Sequence, residues 1–425
     1  MRELGLRAIA SLCEQAYDKA DAVLLDSYGA WNLEERLLLR CCQTGKQGGR
    51  PLLRSDIPSE IDWQTFLLLA RKEGIAPLLY RRLVCCLDRE CIPDWLAREL
   101  KREYYAVLAK NAVVFEELKK ALAALNNAGV EAMVLKGAVL AEQVYGDLGV
   151  RPMADVDLLI KGHDLAAIDQ AFQTLGYLSD DLRSIDLTSI PINYLTSVVY
   201  YSPTVYYLCF HLHWHIVNST IPNDSLIRSF KITDIWNAAR QTTIAGTKTL
   251  VMAPHNLLIH LAEHGLRVTH SLSQFIFLCD IHETVTTYEK EIDWDELVET
   301  SQKIKLDRFV YLSLALAVKL LDSQIPEKVL ARLHPKKLRL AESLFLYLVA
   351  HNFRPGGLSY LLYFSNNRGL LNKGNFLFRT LFPPRQVIAQ RSAIPLEKIG
   401  NNLYLKRAEE VFTTGFGMLS KLFRV

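Results

Sequence analysis

Residues 133–160 read MVLKGAVLAEQVYGDLGVRPMADVDLLI, and the reading of this stretch decides the fold. It opens on an apolar run, turns at Lys136-Gly137 into a helical segment, and ends in Asp155-Val156-Asp157 followed by Leu-Leu-Ile. Side chains two apart on a strand share a face, so Asp155 and Asp157 project together. The residues after them are too apolar for a surface loop. Adjacent carboxylates repel, and both stay ionised only where a cation lies between them. All-oxygen ligands favour Mg²⁺ or Mn²⁺ there. Taken alone, so short a motif is better explained as one cap and one solvated side chain.

Lys136-Gly137 shifts that balance. A glycine where a strand becomes a helix lets backbone amides approach a ligand closely. The helix start carries partial positive charge, and Lys136 adds to it. Such a turn suits a phosphate. A phosphate cradle on one strand and an Asp pair on the next is the layout that nucleotidyl transfer needs: amides hold the triphosphate tail and a metal bridges its oxygens.

The rest of the chain frames this segment with helices. Hydrophobic periodicity predicts helix in residues 1–43, a helix pair over 62–87 with Gly74 as a C-cap, and a long helix over 94–127 stopped near Gly129. Residues 131–135 and 155–160 are predicted strands, 137–145 and 163–175 helices, and 178–196 irregular. Two strands, 197–202 and 205–217, are predicted to form a hairpin turning at Pro203. A helical WNAARQ, one strand over 243–252 and helices at 254–268, 272–289, 293–304, 307–321 and 338–351 follow. Residues 403–423 are amphipathic; packing on the body of the protein explains them better than a membrane surface.

At 425 residues, half of them hydrophobic and 22% charged, the chain has a globular composition and room for two or three domains. A net charge of +3 gives no argument for nucleic acid. No signal peptide and no spanning segment is read from the sequence, so the expected location is cytoplasmic. Eight cysteines without a Cys-x-x-Cys are expected to be free thiols. Gly45-Lys46 lacks the flanking residues of a phosphate loop. His260-Leu-Ala-Glu-His264 fits an H-x-x-E-H zinc pattern, but no third ligand is identifiable. A helix packed on the α/β part, with one histidine lining an acceptor pocket, explains it better.

KGAVLAEQVYGDLGVRPMADVDLLI resembles the core motif of the bacterial uncharacterised nucleotidyltransferase family, within the DNA polymerase β-like nucleotidyltransferase superfamily. DWQTFLLLARKEGIAPLLYRRL, HLHWHI, DIWNAARQ, PHNLLIHLAEHG, CDIHE, IDWDELV and LFPPRQVI…NNLYLKRAEEVF are similar to its other blocks, so the likeness covers roughly residues 60–415. The resemblance implies an α+β fold: a small mixed-sheet nucleotidyltransferase core over 128–252, flanked by helical regions at 1–127 and 253–425. It implies transfer of a nucleoside monophosphate from a nucleoside triphosphate to an unidentified small-molecule, peptide or protein acceptor. Matched residue by residue, Lys136 and Gly137 are the phosphate-binding turn, Arg151 the arginine before the acids, and Asp155 and Asp157 the Mg²⁺ or Mn²⁺ ligands.

One position departs from the pattern. The family usually places a third acid just before Leu-His-Trp, where this chain has His211. Alternation puts Cys209, His211, His213 and His215 on one face of that strand, and Leu208, Phe210, Leu212, Trp214 and Ile216 on the other. Two outcomes are open. His211 takes the acid's place as ligand or base and moves metal preference toward Mn²⁺ or Zn²⁺. Alternatively the third ligand is lost, leaving nucleotide or partner binding with little turnover. Asp180 and Asp181 are weaker candidates for a replacement carboxylate.

Overall fold

The computed structural model describes residues 31–43, 54–84, 91–179, 197–217, 231–267, 270, 272–336, 338–350, 352–354, 358–367 and 369–383, with the single positions 404, 409 and 413. The expectations for Gly45-Lys46, for Asp180 and Asp181, for 1–30 and 180–196, and for nearly all of 403–423 lie outside them.

The chain enters through α1 (Leu33–Cys42), started by a capping box in which Asn32 and Glu35 satisfy each other's backbone amides. Helix α2 (Trp63–Lys72) is capped by Asp62, which accepts from the amides of Gln64 and Thr65. Helix α3 runs over Asp94–Asn127, with the bounds that periodicity predicts. Its 34 residues span about 50 Å, which lets one element serve two cores. Leu96 and Leu100 pack among the N- and C-terminal helices. Val114, Phe115, Leu118, Leu122 and Leu125 pack on the sheet. Val130 then leads into β1 (Met133–Val134), α4 (Lys136–Val139) with a π-helical turn over Leu140–Val144, β2 (Val156–Leu159) and α5 (Leu165–Thr174).

Among the described residues, six strands form one mixed sheet in the order β3-β4-β2-β1-β6-β5. The others are β3 (Ser197–Tyr201), β4 (Cys209–His213), β5 (Arg240–Ile244) and β6 (Thr247–Val251). Strand β1 is central, antiparallel to β2 and parallel to β6. Strand β2 is parallel to β4, and β3 closes back on β4 antiparallel. With the helices around it, this is a mixed α/β architecture consistent with α+β.

Three local expectations need correction. Residues 243–252 hold a hairpin rather than one strand, turning at Ala245 (φ 51°) and Gly246 (φ 71°). An alanine in that first position carries none of the usual Asn-Gly or Asp-Gly signal. The helix expected at WNAARQ lies earlier, over Ile232–Asn237, and Arg240 already pairs in β5. Strand β4 stops at His213, so the alternation inverts beyond it: Trp214 is half-buried and His215 is buried. There His215 Nδ1 accepts the Val217 amide at 3.0 Å, closing a turn instead of extending the strand. The free-thiol expectation holds for the described cysteines, with Cys41, Cys42 and Cys279 buried.

The helices after the sheet include α6 (Pro254–Gly265), α7 (Ile276–Thr287), α8 (Asp307–Leu321) and α9 (Leu370–Leu381). Pro254 at the first turn of α6 costs nothing, since its missing N–H has no helical partner there. Nearly every side chain of α6 and α7 is buried, so both are interior helices. No described helix is long and apolar enough to cross a membrane.

Candidate functional site

Strands β2 and β4 set the site. Their parallel register places Asp157 opposite His211 and Leu159 opposite His213. Alternation along β4 buries Phe210 and Leu212 in the core and leaves Cys209, His211 and His213 on the other face. Lys136 opens α4 directly after β1, the strand next to β2, which brings its amine over Asp157.

Asp157 is buried and doubly held. Its Oδ2 lies 2.6 Å from Lys136 Nζ, and its Oδ1 lies 2.8 Å from His213 Nε2. Burial opposes the charged carboxylate, but Lys136 and His213 outweigh it and hold the group well below the usual carboxylate range. Burial also lowers the His213 pKa, against the pull of Asp157. Facing an ionised carboxylate, His213 donates its Nε2–H to Asp157.

Asp155 precedes β2 and sits at the rim. His211 Nδ1 lies 3.6 Å from Asp155 Oδ2, with side chains 34% and 31% exposed. Asp157, His211 and His213 each offer a ligand atom, all within 4.8 Å of one another, the single such trio among the described residues. One carboxylate and two imidazoles suit Zn²⁺ or Mn²⁺ better than Mg²⁺. The residues present fit a metal, which would share Asp157 with the ammonium of Lys136.

The structure thus brings Lys136, Asp155, Asp157 and His211 together. A Cβ added at Gly137 would meet Met153 Sδ at 3.4 Å, an ordinary contact, so the 151–155 loop packs on the start of α4 without depending on the missing side chain. Arg151 has a different partner. Its Nη2 lies 2.8 Å from Asp280 Oδ2 on α7, its Nε 3.1 Å from Oδ1, and Nη1 donates to the Pro152 carbonyl. Tyr145 donates to the same Asp280 carboxylate at 3.0 Å. Arg151 therefore anchors the loop that carries Asp155, and its charge still reaches Asp155.

His213 belongs to the site although the family pattern points to His211. The alternation of β4 contains that signal, since residues two apart share the face. A second histidine group comes from α6. His260 is 1% exposed, and neither ring nitrogen has a hydrogen-bond partner; His264 Nδ1 is likewise unpartnered. The rings of His264 and His270 lie 4.3 Å apart. Arg267 fixes this end of α6, donating to Glu263 at 2.8 Å and to the Ile216 carbonyl just after β4 at 2.6 Å. Glu263 is thus held by Arg267, and His260 and His264 join no metal-capable trio among the described residues. That geometry does not match a zinc peptidase.

Burial first, then the charges of Lys136 and Arg267, lowers the pKa of His260, His264 and His270, the last to about 4. These histidines are neutral when folded and charge more readily when unfolded. The unfolded chain binds more protons below its His pKa of about 6.5, so stability is complete above that pH and declines as pH falls toward 4. Urea midpoints measured between pH 7 and pH 4 are expected to fall. His260→Gln, which does not titrate, is expected to flatten the slope, and an unchanged slope contradicts the account.

No curated protein and no solved structure matches the chain. The sequence model of the family described as uncharacterised nucleotidyltransferase matches residues 59–322 and does not extend to the C-terminal LFPPRQVI…NNLYLKRAEEVF. That range is well over half of the chain and contains every residue of this site; the chain belongs to the uncharacterised nucleotidyltransferase family.

Proposed function

We propose that this protein is a metal-dependent nucleotidyltransferase that moves a nucleoside monophosphate from a nucleoside triphosphate to an acceptor hydroxyl or similar group. The observation that carries the reading is the meeting of Lys136, at the start of α4, with Asp157 and two histidines on the neighbouring parallel strands β2 and β4, inside a chain of this family. Placement in the wider DNA polymerase β-like superfamily is part of the same reading.

Lys136 and Gly137 receive the triphosphate tail, and Arg151 supports nucleotide binding by ordering the 151–155 loop and through its charge. Asp155 and Asp157 are the carboxylate ligands, and His211 stands where the family usually has the third acid. The divalent ion supplies charge neutralisation of the triphosphate when bound. The acceptor oxygen bonds to the α-phosphorus, the bond to pyrophosphate breaks, and the hydroxyl proton leaves through the exposed Asp155–His211 rim. Mn²⁺ is favoured over Mg²⁺ by the two imidazoles.

A second reading, nucleotide binding without turnover, has its own support. Both Asp157 oxygens are already engaged, and β4 contributes no carboxylate. Labelled nucleoside triphosphates with candidate acceptors, run with Mg²⁺ and with Mn²⁺, separate the two. The leading reading expects label transfer that is faster with Mn²⁺ and lost in Asp155→Ala/Asp157→Ala; transfer retained in that variant overturns it. The second reading expects binding alone, with turnover appearing in His211→Glu.

A further inference from the structure

Helix α9 lies beyond the part of the chain matched to the family, and nothing in the proposed transfer chemistry uses it. Its sequence, LLNKGNFLFRTL, turns an apolar face outward. Leu370 and Leu371 are 89% and 90% exposed, and Leu377, Phe378 and the following Phe382 are also exposed. Helical positions advance by about 100° per residue, so these five fall within one arc of about 140°. Phe376 and Thr380, the buried positions, lie on the far side and fasten the helix to the body. Phe364 packs against Phe376, at 6.3 Å between ring centroids. The outward arc is therefore not a core face that failed to pack; the helix has a separate core face already filled.

Charge has one sign in the sequence of this segment. Residues 355–396 contain five bases (Arg368, Lys373, Arg379, Arg385 and Arg391) and no acid, in a chain whose acids and bases are otherwise nearly balanced. Within α9, Lys373 and Arg379 fall at helical positions on either side of the apolar arc, and Lys373 Nζ lies over the Phe364 ring at 5.2 Å from its centroid. A partner protein surface would need matching apolar pockets. A fluid surface that is apolar within and anionic outside needs none, and leucines and phenylalanines bordered by bases are the composition that enters it.

We infer that α9 docks the protein on an anionic lipid surface, with Leu370, Leu371, Leu377 and Phe378 entering the acyl boundary and the bases of this segment attracting the anionic headgroups, while Phe382 stays against Tyr404 at 6.3 Å between ring centroids. The helix lies in the surface plane. This is peripheral attachment, in keeping with the absence of a spanning helix among the described residues.

The test is co-sedimentation of the full chain with phosphatidylcholine vesicles, with and without about one third phosphatidylglycerol. Wild type is expected to sediment with the anionic vesicles and to stay in solution with neutral ones. Leu371→Glu/Phe378→Glu is expected to weaken partitioning at least about tenfold. Both side chains are exposed, so its melting temperature is expected to stay near wild type, which separates lost docking from lost folding. Raising salt to about 0.5 M is expected to weaken wild-type binding, as screening of the bases requires. Failure of wild type to sediment with anionic vesicles overturns the inference. Equal sedimentation of wild type and variant does the same. So does a light-scattering mass showing a wild-type dimer that the variant dissociates, which assigns the face to a second copy.

Discussion

Asp157→Asn is expected to abolish nucleotidyl transfer, by about a hundredfold or more, and to destabilise the fold. The two effects share one cause. Asp157 and Lys136 are a desolvated pair, with side chains 3% and 10% exposed. Exposed ion pairs are worth little, and losing one changes little. Here the amide leaves an ammonium buried without its counter-charge, which costs about 3–5 kcal/mol. The neutral amide also takes away the one buried carboxylate of the trio. Denaturant unfolding measures the first effect and labelled transfer the second. Asp155→Asn is the informative companion: its side chain is at the rim, so transfer is expected to fall while the unfolding midpoint hardly moves. An Asp157→Asn protein as stable as wild type would mean that Lys136 is not paired as described.

Asp280→Ala is expected to be about as destabilising, 3–5 kcal/mol, although it lies far from Asp155 in sequence. Its carboxylate receives the Arg151 guanidinium and the Tyr145 hydroxyl, and Asp280 itself is 1% exposed. Alanine leaves both donors buried and unanswered. Because Arg151 begins the 151–155 loop, the same change is expected to raise KM for the nucleoside triphosphate. Asp280→Asn keeps an acceptor and is expected to lose less of both. Thermal unfolding and a KM measurement on the three proteins check this, and an unchanged KM in Asp280→Ala contradicts the anchoring role of Arg151.

The sequence was most legible where local chemistry dominates. The long helix α3 is bounded by Pro93 before its first turn and Gly129 beyond its end, and periodicity alone finds it. The alternation of β4 separates core from histidine face through His213, because one side of that strand is buried and the register is fixed by it. The hairpin of β5 and β6 escaped because Ala245 adopts a positive φ that alanine rarely takes. At the site, short-range motifs brought out Lys136, Asp155 and Asp157. The long-range partners stayed hidden: Arg151 meets Asp280 across 129 residues, and Arg267 meets the Ile216 carbonyl across 51. No periodicity encodes such contacts. The unpartnered nitrogens of His260 are visible only once α6 is seen to be interior.

The proposed transfer requires the Asp157 centre to bind a divalent ion together with a nucleoside triphosphate. Mn²⁺ titration followed by electron paramagnetic resonance, with and without a mixture of the four nucleoside triphosphates, tests it most directly. Wild type is expected to bind Mn²⁺ more tightly when nucleotide is present. Asp155→Asn, which keeps the buried Lys136–Asp157 pair, is expected to weaken that binding by about tenfold or more. Equal Mn²⁺ binding by wild type and Asp155→Asn, or binding indifferent to nucleotide, would contradict the account.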